Sequence, residues 1–312
     1  MALVPYEDQL RAVTKDAIKI NEPLANHTTF GIGGPADALV CPKDMATTVR
    51  ILSVAAGHDI PCHILGRGSN LLVADSGVRG LVVKTTDVAW HPPLQPIAGL
   101  SNQYEAGGGV PISVLLAHCL KKQLTGLEPL TGIPGTLGGA IAMNAGTQNG
   151  TVSEVVERVC AFDLTDGTLR QFSRTACEFG YRSSRFLQGH RLVVLSAQLH
   201  LGPADRDDIA TYMREQVLTR RASQPWRSRS AGSVFRNPPG DSAGHLIEKA
   251  GWKGCRVGGA EVSLEHANFI VNVGHASAAD VMTLIRRIKA SIKRQFGVEL
   301  ELELRIWGAD AP

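Results

Sequence analysis

A serine inside a short irregular segment is the first candidate for chemistry in this sequence. The segment Ala231–Pro238 reads Ala-Gly-Ser-Val-Phe-Arg-Asn-Pro and places the hydroxyl of Ser233 directly after Gly232. A glycine beside a hydroxyl group lets the backbone approach a ligand closely. The same eight residues also fit an ordinary turn with a capping serine, so the choice between the two depends on the rest of the chain.

Two glycine-rich stretches are candidates for binding phosphate groups. The first, residues 66–70, reads Gly-Arg-Gly-Ser-Asn, and its consecutive backbone N–H groups suit a pyrophosphate. A strand follows it where a dinucleotide-binding Rossmann motif needs a helix, and a tight turn is the alternative. The second, residues 131–139, reads Thr-Gly-Ile-Pro-Gly-Thr-Leu-Gly-Gly. Such glycine density destabilises regular structure, which indicates close approach to a ligand or a crossing of packed strands. Two such loops favour a long phosphorylated cofactor.

Charged residues in two further segments have the chemistry to meet a substrate. Arg182 lies in Phe179–Ser184, and a guanidinium can hold a carboxylate with two hydrogen bonds; an ordinary surface arginine is the alternative. In Val298–Ile306, glutamates alternate with apolar residues, which predicts a half-buried strand with a solvated polar face. The spacing alone does not show which of the glutamates, if any, is catalytic: Glu299, Glu301 or Glu303.

Composition restricts the class of protein. The 312 residues favour two or three domains, and 44% hydrophobic with 20% charged residues is typical of a globular protein. A net charge of +3 and 5% aromatic residues do not favour nucleic-acid binding. The six cysteines form no Cys-x-x-Cys pair and the histidines no paired motif, so we expect no metal site. We find no signal peptide and no membrane-spanning run, and we expect a soluble, cytoplasmic protein.

Hydrophobic periodicity predicts the main elements. Helices are expected at residues 44–56, 111–123, 207–221 and 277–296, the last with a Ser277/Asp280 capping box. Strands are expected at residues 62–65, 71–73, 81–83 and 192–201, with a hairpin formed by 155–162 and 169–172. Compositional breaks predict domain boundaries near Asp87 and just before Asp207.

Taken in order, these segments resemble the UDP-N-acetylenolpyruvoylglucosamine reductase family from about Asn21 to Gly308. The order of the motifs makes the resemblance specific, although each motif alone is weak. The matching segments are Thr28–Gly34, Gly66–Asn70, Gly132–Gly135, Tyr181–Arg182, Gly232–Pro238 and Glu303–Arg305. One departure is Thr147–Gly150, where the family often carries a tyrosine.

The resemblance implies an α+β fold in which separate domains bind FAD and the substrate. We expect a FAD-binding region of the vanillyl-alcohol-oxidase type at residues 1–206, with α+β subdomains at about 1–87 and 88–206. A substrate-binding α+β domain is expected at residues 207–312. The implied enzyme is a monomeric, cytoplasmic oxidoreductase that uses non-covalent FAD and NADPH to reduce UDP-N-acetylglucosamine enolpyruvate to UDP-N-acetylmuramate.

The resemblance also assigns residues to roles. Ser233 would donate a proton, Arg182 would stabilise negative charge on the substrate carboxylate, and Glu303 would orient that carboxylate or share a proton with it. Substrate contacts are expected from Tyr181, Gln224, Arg236 and Asn237. FAD contacts are expected from the two glycine-rich stretches: Gly66, Arg67, Gly68, Ser69, Asn70, Gly132, Ile133, Pro134, Gly135, Gly138 and Gly139.

Two other functions fit parts of the sequence. A FAD-linked alcohol or hydroxy-acid oxidase of the same fold often carries a covalent flavin on a histidine or cysteine, and Cys62 and His63 lie just before the first glycine loop. A non-catalytic nucleotide-binding or scaffold protein would show neither yellow colour nor NADPH oxidation. Flavin release on denaturation and NADPH oxidation with the enolpyruvyl substrate distinguish the three.

Overall fold

The computed structural model describes residues 6–86, 93–187, 189 and 191–308. The chain divides into two compact units, each built from discontinuous segments. The first unit comprises Met1–Ile20, Asp37–Arg67 and Gly80–Leu218; the second comprises Asn21–Ala36, Gly68–Arg79 and Thr219–Pro312. The predicted boundary near Asp87 lies outside the described residues, and the assignment of functional domains at 1–206 and 207–312 stays a prediction.

The bounds of the helices are α1 Glu7–Val13, α2 Met45–Gly57, α3 Ile112–Lys122, α4 Leu137–Met143, α5 Arg206–Ser223, α6 Ala243–Lys249 and α7 Ala278–Phe296. The four predicted helices are present within a few residues of their expected bounds, as α2, α3, α5 and α7. Among the described residues, none of the helices combines the length and the apolar composition that a membrane span needs.

The strands are mostly short. Their bounds are β1 Ile18–Pro23, β2 Pro35–Val40, β3 Cys62–Leu65, β4 Leu71–Val73, β5 Val78–Lys84, β6 Gln95–Pro96, β7 Gln103–Gly107, β8 Leu124–Thr125, β9 Gly146–Thr147, β10 Gly150–Thr151, β11 Val156–Asp163, β12 Thr168–Ser173, β13 Leu192–His200, β14 Gly202–Pro203, β15 Arg229–Ser233, β16 Arg256–Val257, β17 Ala260–Val262, β18 Phe269–Asn272 and β19 Arg305–Trp307.

The first unit is built around two larger sheets. One has the order β1-β2-β5-β3, with β3 and β5 parallel, and the other has the order β12-β11-β13-β7-β6 with antiparallel neighbours. Helix α2 buries Ile51, Leu52 and Ala55 in one core cluster with Leu81 of β5. A second core cluster joins α3 and α4 to the five-stranded sheet. The glycine-rich stretch before α4 is therefore anchored in a packed core.

The second unit packs a long amphipathic helix against an antiparallel sheet of order β15-β18-β17-β16. One apolar stripe of α7, including Val281, Leu284 and Ile288, is buried with the strand residues. The apolar periodicity of the sequence determines this face, since residues three and four apart share one side of a helix. Strand β15, which carries Ser233, is thus an edge of a sheet with a helical support.

The N-terminus of α7 is held by its own capping box and by a distant aspartate. Ser277 Oγ accepts from Asp280 N at 3.0 Å, and Asp280 Oδ2 accepts from Ser277 N at 3.0 Å, as predicted. The carboxylate of Asp75 also accepts from the N–H groups of Ala278 at 2.8 Å and Ala279 at 3.0 Å. Asp75 therefore ties the Gly68–Arg79 segment to the second unit.

The strands predicted at residues 71–73 and 81–83 lie in different sheets. Both predicted strands exist, but β4 pairs in parallel with β19, whereas β5 pairs with β3. The intervening turn does not form a hairpin, because Gly34 N donates to Ala74 O at 3.0 Å and Gly77 packs against Pro35. A distant partner therefore decided the strand pairing.

The predicted strand at 298–306 is wrong for most of its length. Only Arg305–Trp307 forms a strand, although the alternation of burial holds at Leu300 and Leu304. The residues before it bond irregularly: the N–H groups of Glu303 and Leu304 both donate to the carbonyl of Val234, at 2.9 and 3.3 Å. Alternation specifies an extended backbone, but a regular ladder also needs a partner strand in register.

The second glycine-rich stretch contains a helix that its composition did not predict. Helix α4 runs through Gly138 and Gly139, and Thr136 caps it by accepting from Gly139 N at 3.4 Å. Gly138 N donates to Gly108 O at 2.7 Å, and a Cβ atom on Gly138 would lie 3.0 Å from that oxygen. Close backbone packing therefore explains a glycine there despite its low helix propensity.

Candidate active site

Ser233 lies at the end of strand β15, where the strand leaves its regular pairing with β18. Ser230 pairs with Val271 and Ser233 with Phe269, so β15 carries an extra residue between these pairs. Gly232 in this bulge has φ +76°, a conformation that favours glycine. The next two residues, Val234 and Phe235, are buried in the core of the second unit. The buried pair and the bulge together fix the backbone on both sides of Ser233.

Glu303 belongs to the same hydrogen-bonded network as Ser233. Its N–H donates to the carbonyl of Val234 at 2.9 Å, and its own carbonyl accepts from Asn70 Nδ2 at 3.0 Å. The Asn70 carbonyl in turn accepts from Arg305 N at 3.1 Å. Within the second unit, the structure thus brings together the serine segment, the glutamate segment and the last residue of the first glycine loop.

The opening motif of the sequence joins the glycine loop to the serine strand. Thr29 N donates to Gly68 O at 3.1 Å, and Thr29 Oγ1 donates to Ser230 O at 2.7 Å. A Cβ atom on Gly232 would lie 3.8 Å from Ser69 O. Residues 28–34 therefore act as a brace between two predicted functional segments, a role that the sequence motif alone did not show.

Two arginines beside this network, Arg236 and Arg305, lie close enough for their charges to interact. Arg236 lies 3.6 Å from the exposed carboxylate of Glu301, and Arg236 N donates to Glu301 O at 2.9 Å. Burial and then the nearby charge of Arg236 lower the pKa of Arg305. Adjacent cations of this kind favour an anionic ligand, because an anion relieves their mutual repulsion.

In the first unit, the start of the first glycine loop touches the second glycine-rich stretch. A Cβ atom on Gly66 would lie 2.8 Å from Thr136 Oγ1. The backbone turn at Gly132 has φ +76°, and Gly135 O accepts from Ile112 N at 3.0 Å. The hydroxyl of Thr131 is buried and has no hydrogen-bond partner among the described residues. The backbone at Gly66 therefore lies directly against the start of α4, and a backbone without side chains at such a point fits a phosphate group.

Arg182 occupies a tight turn that is fastened to helix α4. Its φ is +52°, and the turn closes through hydrogen bonds between Gly180 and Ser183 at 3.0 and 3.2 Å. Asn144 Nδ2 donates to Gly180 O at 2.9 Å. The Arg182 guanidinium carbon lies 5.4 Å from the centre of the Tyr181 ring, which is itself 56% exposed. Positive φ in a non-glycine residue is a strained conformation that is frequent at functional sites.

The remaining predicted contact residues have mixed environments. Asn237 Oδ1 accepts from Ala243 N at 3.0 Å at the start of α6, so part of its amide serves the local fold. Gln224 follows helix α5, and its backbone bonds to Arg220 and Trp226.

Arg182 and Tyr181 belong to the first unit, whereas Ser233 and Glu303 belong to the second. The structure thus describes the predicted catalytic residues as two separate groups.

Glu128 is a buried acidic residue just before the second glycine-rich stretch, and the motifs did not single it out. It is 8% exposed, and its Oε2 accepts from Gly126 N at 2.7 Å. Its other carboxylate oxygen is buried without a hydrogen-bond partner among the described residues. The available signal was a lone acidic residue in the apolar run Leu127–Leu130, since buried polar groups are normally hydrogen-bonded.

The comparisons with known proteins match both parts of this arrangement. Residues 36–173 match the family model for an FAD binding domain, and residues 224–307 match the model for the UDP-N-acetylenolpyruvoylglucosamine reductase C-terminal domain. The fold and the paired glycine loops therefore define an α+β flavoprotein with a FAD-binding domain and a distinct C-terminal domain. The chain belongs to the UDP-N-acetylenolpyruvoylglucosamine reductase family.

Relatives of this family are similar to the chain over almost its whole length. UDP-N-acetylenolpyruvoylglucosamine reductase 2 of Symbiobacterium thermophilum is 44% identical over 306 residues, covering 97% of each chain. The reductase of Moorella thermoacetica is 44% identical over 309 residues, covering 99% of each. The crystal structure of the reductase from Thermus caldophilus is 37% identical, with a TM-score of 0.78 over 94% of this chain and 99% of that chain.

Proposed function

We propose that this chain is the NADPH-dependent flavoenzyme that reduces UDP-N-acetylglucosamine enolpyruvate to UDP-N-acetylmuramate in peptidoglycan precursor synthesis. The observation that carries the proposal is the hydrogen bond from Glu303 N to Val234 O, which links Glu303 to the residue after Ser233. This link lies within the match to the reductase C-terminal domain. A hydroxyl and a carboxyl group on adjacent, rigid segments suit proton delivery to a reacting carbon.

FAD is the cofactor of the proposed reaction. When bound, it supplies the hydride chemistry between NADPH and the enolpyruvyl ether. The backbone of residues 66–70 and 132–139 would hold its pyrophosphate, because the two stretches touch at Gly66 and Thr136 and carry no large side chains there. Arg67 and Ser69 add a cation and a hydroxyl to the first loop.

Three side chains are proposed to act on the substrate, each in a different role. Addition of hydride to the enol ether places negative charge on the substrate carboxylate, and Arg182 would stabilise that charge with its fixed guanidinium. Glu303 would orient the carboxylate or share a proton with it. Ser233 would donate a proton to the neighbouring carbon, which requires its hydroxyl to face a strongly basic centre.

The substrate's remaining groups have candidate partners in both units. Arg236, beside Arg305, suits the diphosphate or another anionic group of the UDP-sugar. Tyr181 offers an exposed ring beside Arg182. Gln224 and Asn237 are proposed polar contacts, and Asn237 would use its amide nitrogen, because its oxygen accepts from Ala243 N.

The test of this function separates the two half-reactions by stopped flow. In Ser233→Ala, bleaching of the flavin absorbance by NADPH should stay near wild type, whereas its recovery on adding the enolpyruvyl substrate should slow by at least ~10²-fold. Ser230→Ala, three residues earlier in the same strand, is the control and should leave both rates unchanged. Equal slowing of both half-reactions in Ser233→Ala would reject the proton-donor role.

The covalent-flavin oxidase is the second candidate, and its candidate attachment residues are Cys62 and His63. Burial raises the pKa of the Cys62 thiol to about 12, so little thiolate is available for a covalent link at neutral pH. Release of all flavin by denaturation and precipitation would support the reductase. Flavin that remains with the precipitated chain would favour the oxidase.

Three further properties are part of the same proposal. The FAD-binding region is placed at residues 1–206 and the substrate-binding domain at 207–312, supported by the family matches at 36–173 and 224–307. A cytoplasmic location follows from the proposed use of NADPH and a UDP-sugar. A monomer is proposed, and light scattering of the purified protein tests it.

A further inference from the structure

Asn268 makes an unusual set of hydrogen bonds to the segment that follows Ser233. Its side chain bonds both backbone groups of one residue: Nδ2 donates to Phe235 O at 2.8 Å, and Oδ1 accepts from Phe235 N at 3.0 Å. Its own carbonyl accepts from Val234 N at 2.9 Å. The residue is only 4% exposed. One buried side chain therefore takes the place of a neighbouring strand at Phe235.

The bulge in β15 explains why such a replacement is needed. The extra residue around Gly232 ends the regular β15–β18 ladder at the Ser233–Phe269 pair. Beyond that pair, the buried backbone of Phe235 has no regular ladder partner in β18. Buried N–H and C=O groups must be hydrogen-bonded, and an asparagine amide offers one donor and one acceptor in the required geometry.

The glutamate segment that contains Glu303 lies along the opposite edge of residues 234–236. The carbonyl of Val234 accepts from Glu303 N at 2.9 Å, while Arg236 N donates to Glu301 O at 2.9 Å. Residues 234–236 therefore lie between Asn268 on one side and the glutamate segment on the other. A shift of Val234 would move the backbone of both Ser233 and Glu303.

We propose that Asn268 is a positioning residue for the Ser233–Glu303 pair. The inference rests on the proposed function, because it assumes that these two side chains act on the substrate. A proton donor must be held close to its productive geometry, and displacements of about 1 Å can cost ~10²-fold in rate. Asn268 supplies that constraint without touching the substrate.

The experiment uses the holoenzyme with Asn268→Asp. The carboxylate still accepts from Phe235 N, but at neutral pH it places a negative oxygen against Phe235 O. Substrate-dependent reoxidation should slow by ~10- to 10²-fold while reduction by NADPH stays within about twofold of wild type. Lowering the pH should partly restore reoxidation relative to wild type, because the protonated acid can again donate to Phe235 O.

Asn272→Asp is the matched control. Asn272 lies at the far end of β18, the strand that directly follows Asn268, and its amide bonds the backbone of Phe30, Gly274 and Ala276 at 3.1, 3.1 and 3.2 Å. This variant should alter stability without separating the half-reactions. Asn268→Ser, which keeps a smaller donor and acceptor, provides a second variant if Asn268→Asp does not retain flavin, and it should show the same separation without pH rescue.

The outcomes distinguish this inference from the proposed function. If Ser233→Ala slows reoxidation and both Asn268 variants leave it unchanged, the positioning role is overturned and the function stands. If the Asn268 variants slow both half-reactions equally, in step with lost thermal stability, the role is also overturned. If Ser233→Ala does not slow reoxidation, the proposed function itself fails.

Discussion

At the scale of single residues, the site depends on amide side chains as much as on the groups proposed to do chemistry. Asn70 bonds the carbonyl of Glu303, and Asn144 bonds the carbonyl of Gly180 beside Arg182. Each asparagine satisfies a backbone group in a segment that has left regular structure. Such segments are where functional side chains can adopt special orientations, provided that their backbone groups stay bonded.

Arg182 gives a prediction at this scale. Arg182→Lys keeps a positive charge but loses the planar fork that can hold a carboxylate with two hydrogen bonds. We expect substrate-dependent reoxidation of the flavin to fall by ~10²- to 10³-fold, as for loss of one charge-stabilising donor. Steady-state assays and stopped flow measure the change. Arg174→Lys, an exposed residue earlier in the same chain region, is the control; similar losses in both variants would contradict the assignment.

At the scale of elements, glycines decide where backbones can meet, and their positions are not equivalent. A Cβ atom on Gly66 would press on Thr136 Oγ1, whereas a Cβ atom on Gly57 at the end of α2 would meet nothing within 4 Å. The sequence places Gly66 in a glycine-rich loop, but only the packing of the second stretch against it shows that a side chain there would meet Thr136.

Gly66→Ala should therefore weaken FAD binding, because Thr136 is buried and caps α4. We expect the dissociation constant for FAD, measured by flavin fluorescence on reconstitution, to rise by at least ~10-fold, since even about 1.4 kcal/mol of strain has that effect. Gly57→Ala should bind FAD normally and be more stable by up to ~1 kcal/mol. Equal affinities for FAD in the two variants would show that the contact is unimportant.

The capping box of α7 gives a pH-dependent prediction. Hydrogen bonds from Ser277 N, and further from the Ser277 hydroxyl and Gly259 N, lower the pKa of Asp280 in the folded chain. A carboxyl group with a lowered folded pKa stabilises the fold above its unfolded pKa of about 3.9, and that stabilisation is lost as the pH falls through the folded value.

Asp280→Asn should therefore reduce the free energy of unfolding by ~0.5–1 kcal/mol at pH 7. The difference from wild type should begin to shrink below about pH 4, where the carboxyl group of the unfolded chain binds a proton, and should disappear once the pH falls below the lowered pKa of the folded chain. Urea unfolding across this pH range measures both effects. Glu215→Gln on the exposed side of α5 is the control, and a difference that does not vary with pH would contradict the ionic contribution.

At the scale of the whole molecule, the chain crosses between its compact units several times. Segments 21–36 and 68–79 join the second unit although they precede most of the first unit in sequence. Their attachments are specific: Asp75 caps α7, β4 pairs with β19, and Thr29 bonds Ser230. The two glycine-rich stretches and the serine strand are thus tied into the cores of their units.

Binding of FAD to such a structure should raise its thermal stability. A ligand that binds only the folded state at 100 times its dissociation constant stabilises it by about 2.7 kcal/mol. We expect the Tm of flavin-stripped protein to rise with FAD concentration in a thermal-shift assay. FMN, which lacks the pyrophosphate and adenosine, should give a much smaller rise; equal effects would contradict the role of the two loops.

The local elements followed from periodicity and turn chemistry, because neighbouring residues supply the necessary information. The stripe of α7, its capping box and the β11–β12 hairpin were predicted and are present. The strand at 298–306 failed because its partner, the serine segment, bonds it irregularly. Helix α4 was not predicted, because the glycine density of its sequence indicated irregular structure. The packing of Gly138 against Gly108 is a tertiary contact that no local pattern reveals.

The sequence by itself determined the family, the helices α2, α3, α5 and α7, and the residue types available for chemistry, since these depend on local spacing and on the order of motifs. Only the tertiary structure decided that Asn268 bonds the segment after Ser233, that Glu303 bonds Val234, and that Asp75 caps α7. Each of these bonds joins residues more than 30 positions apart. A buried backbone group accepts whichever partner the packed core brings to it, and no local pattern names that partner.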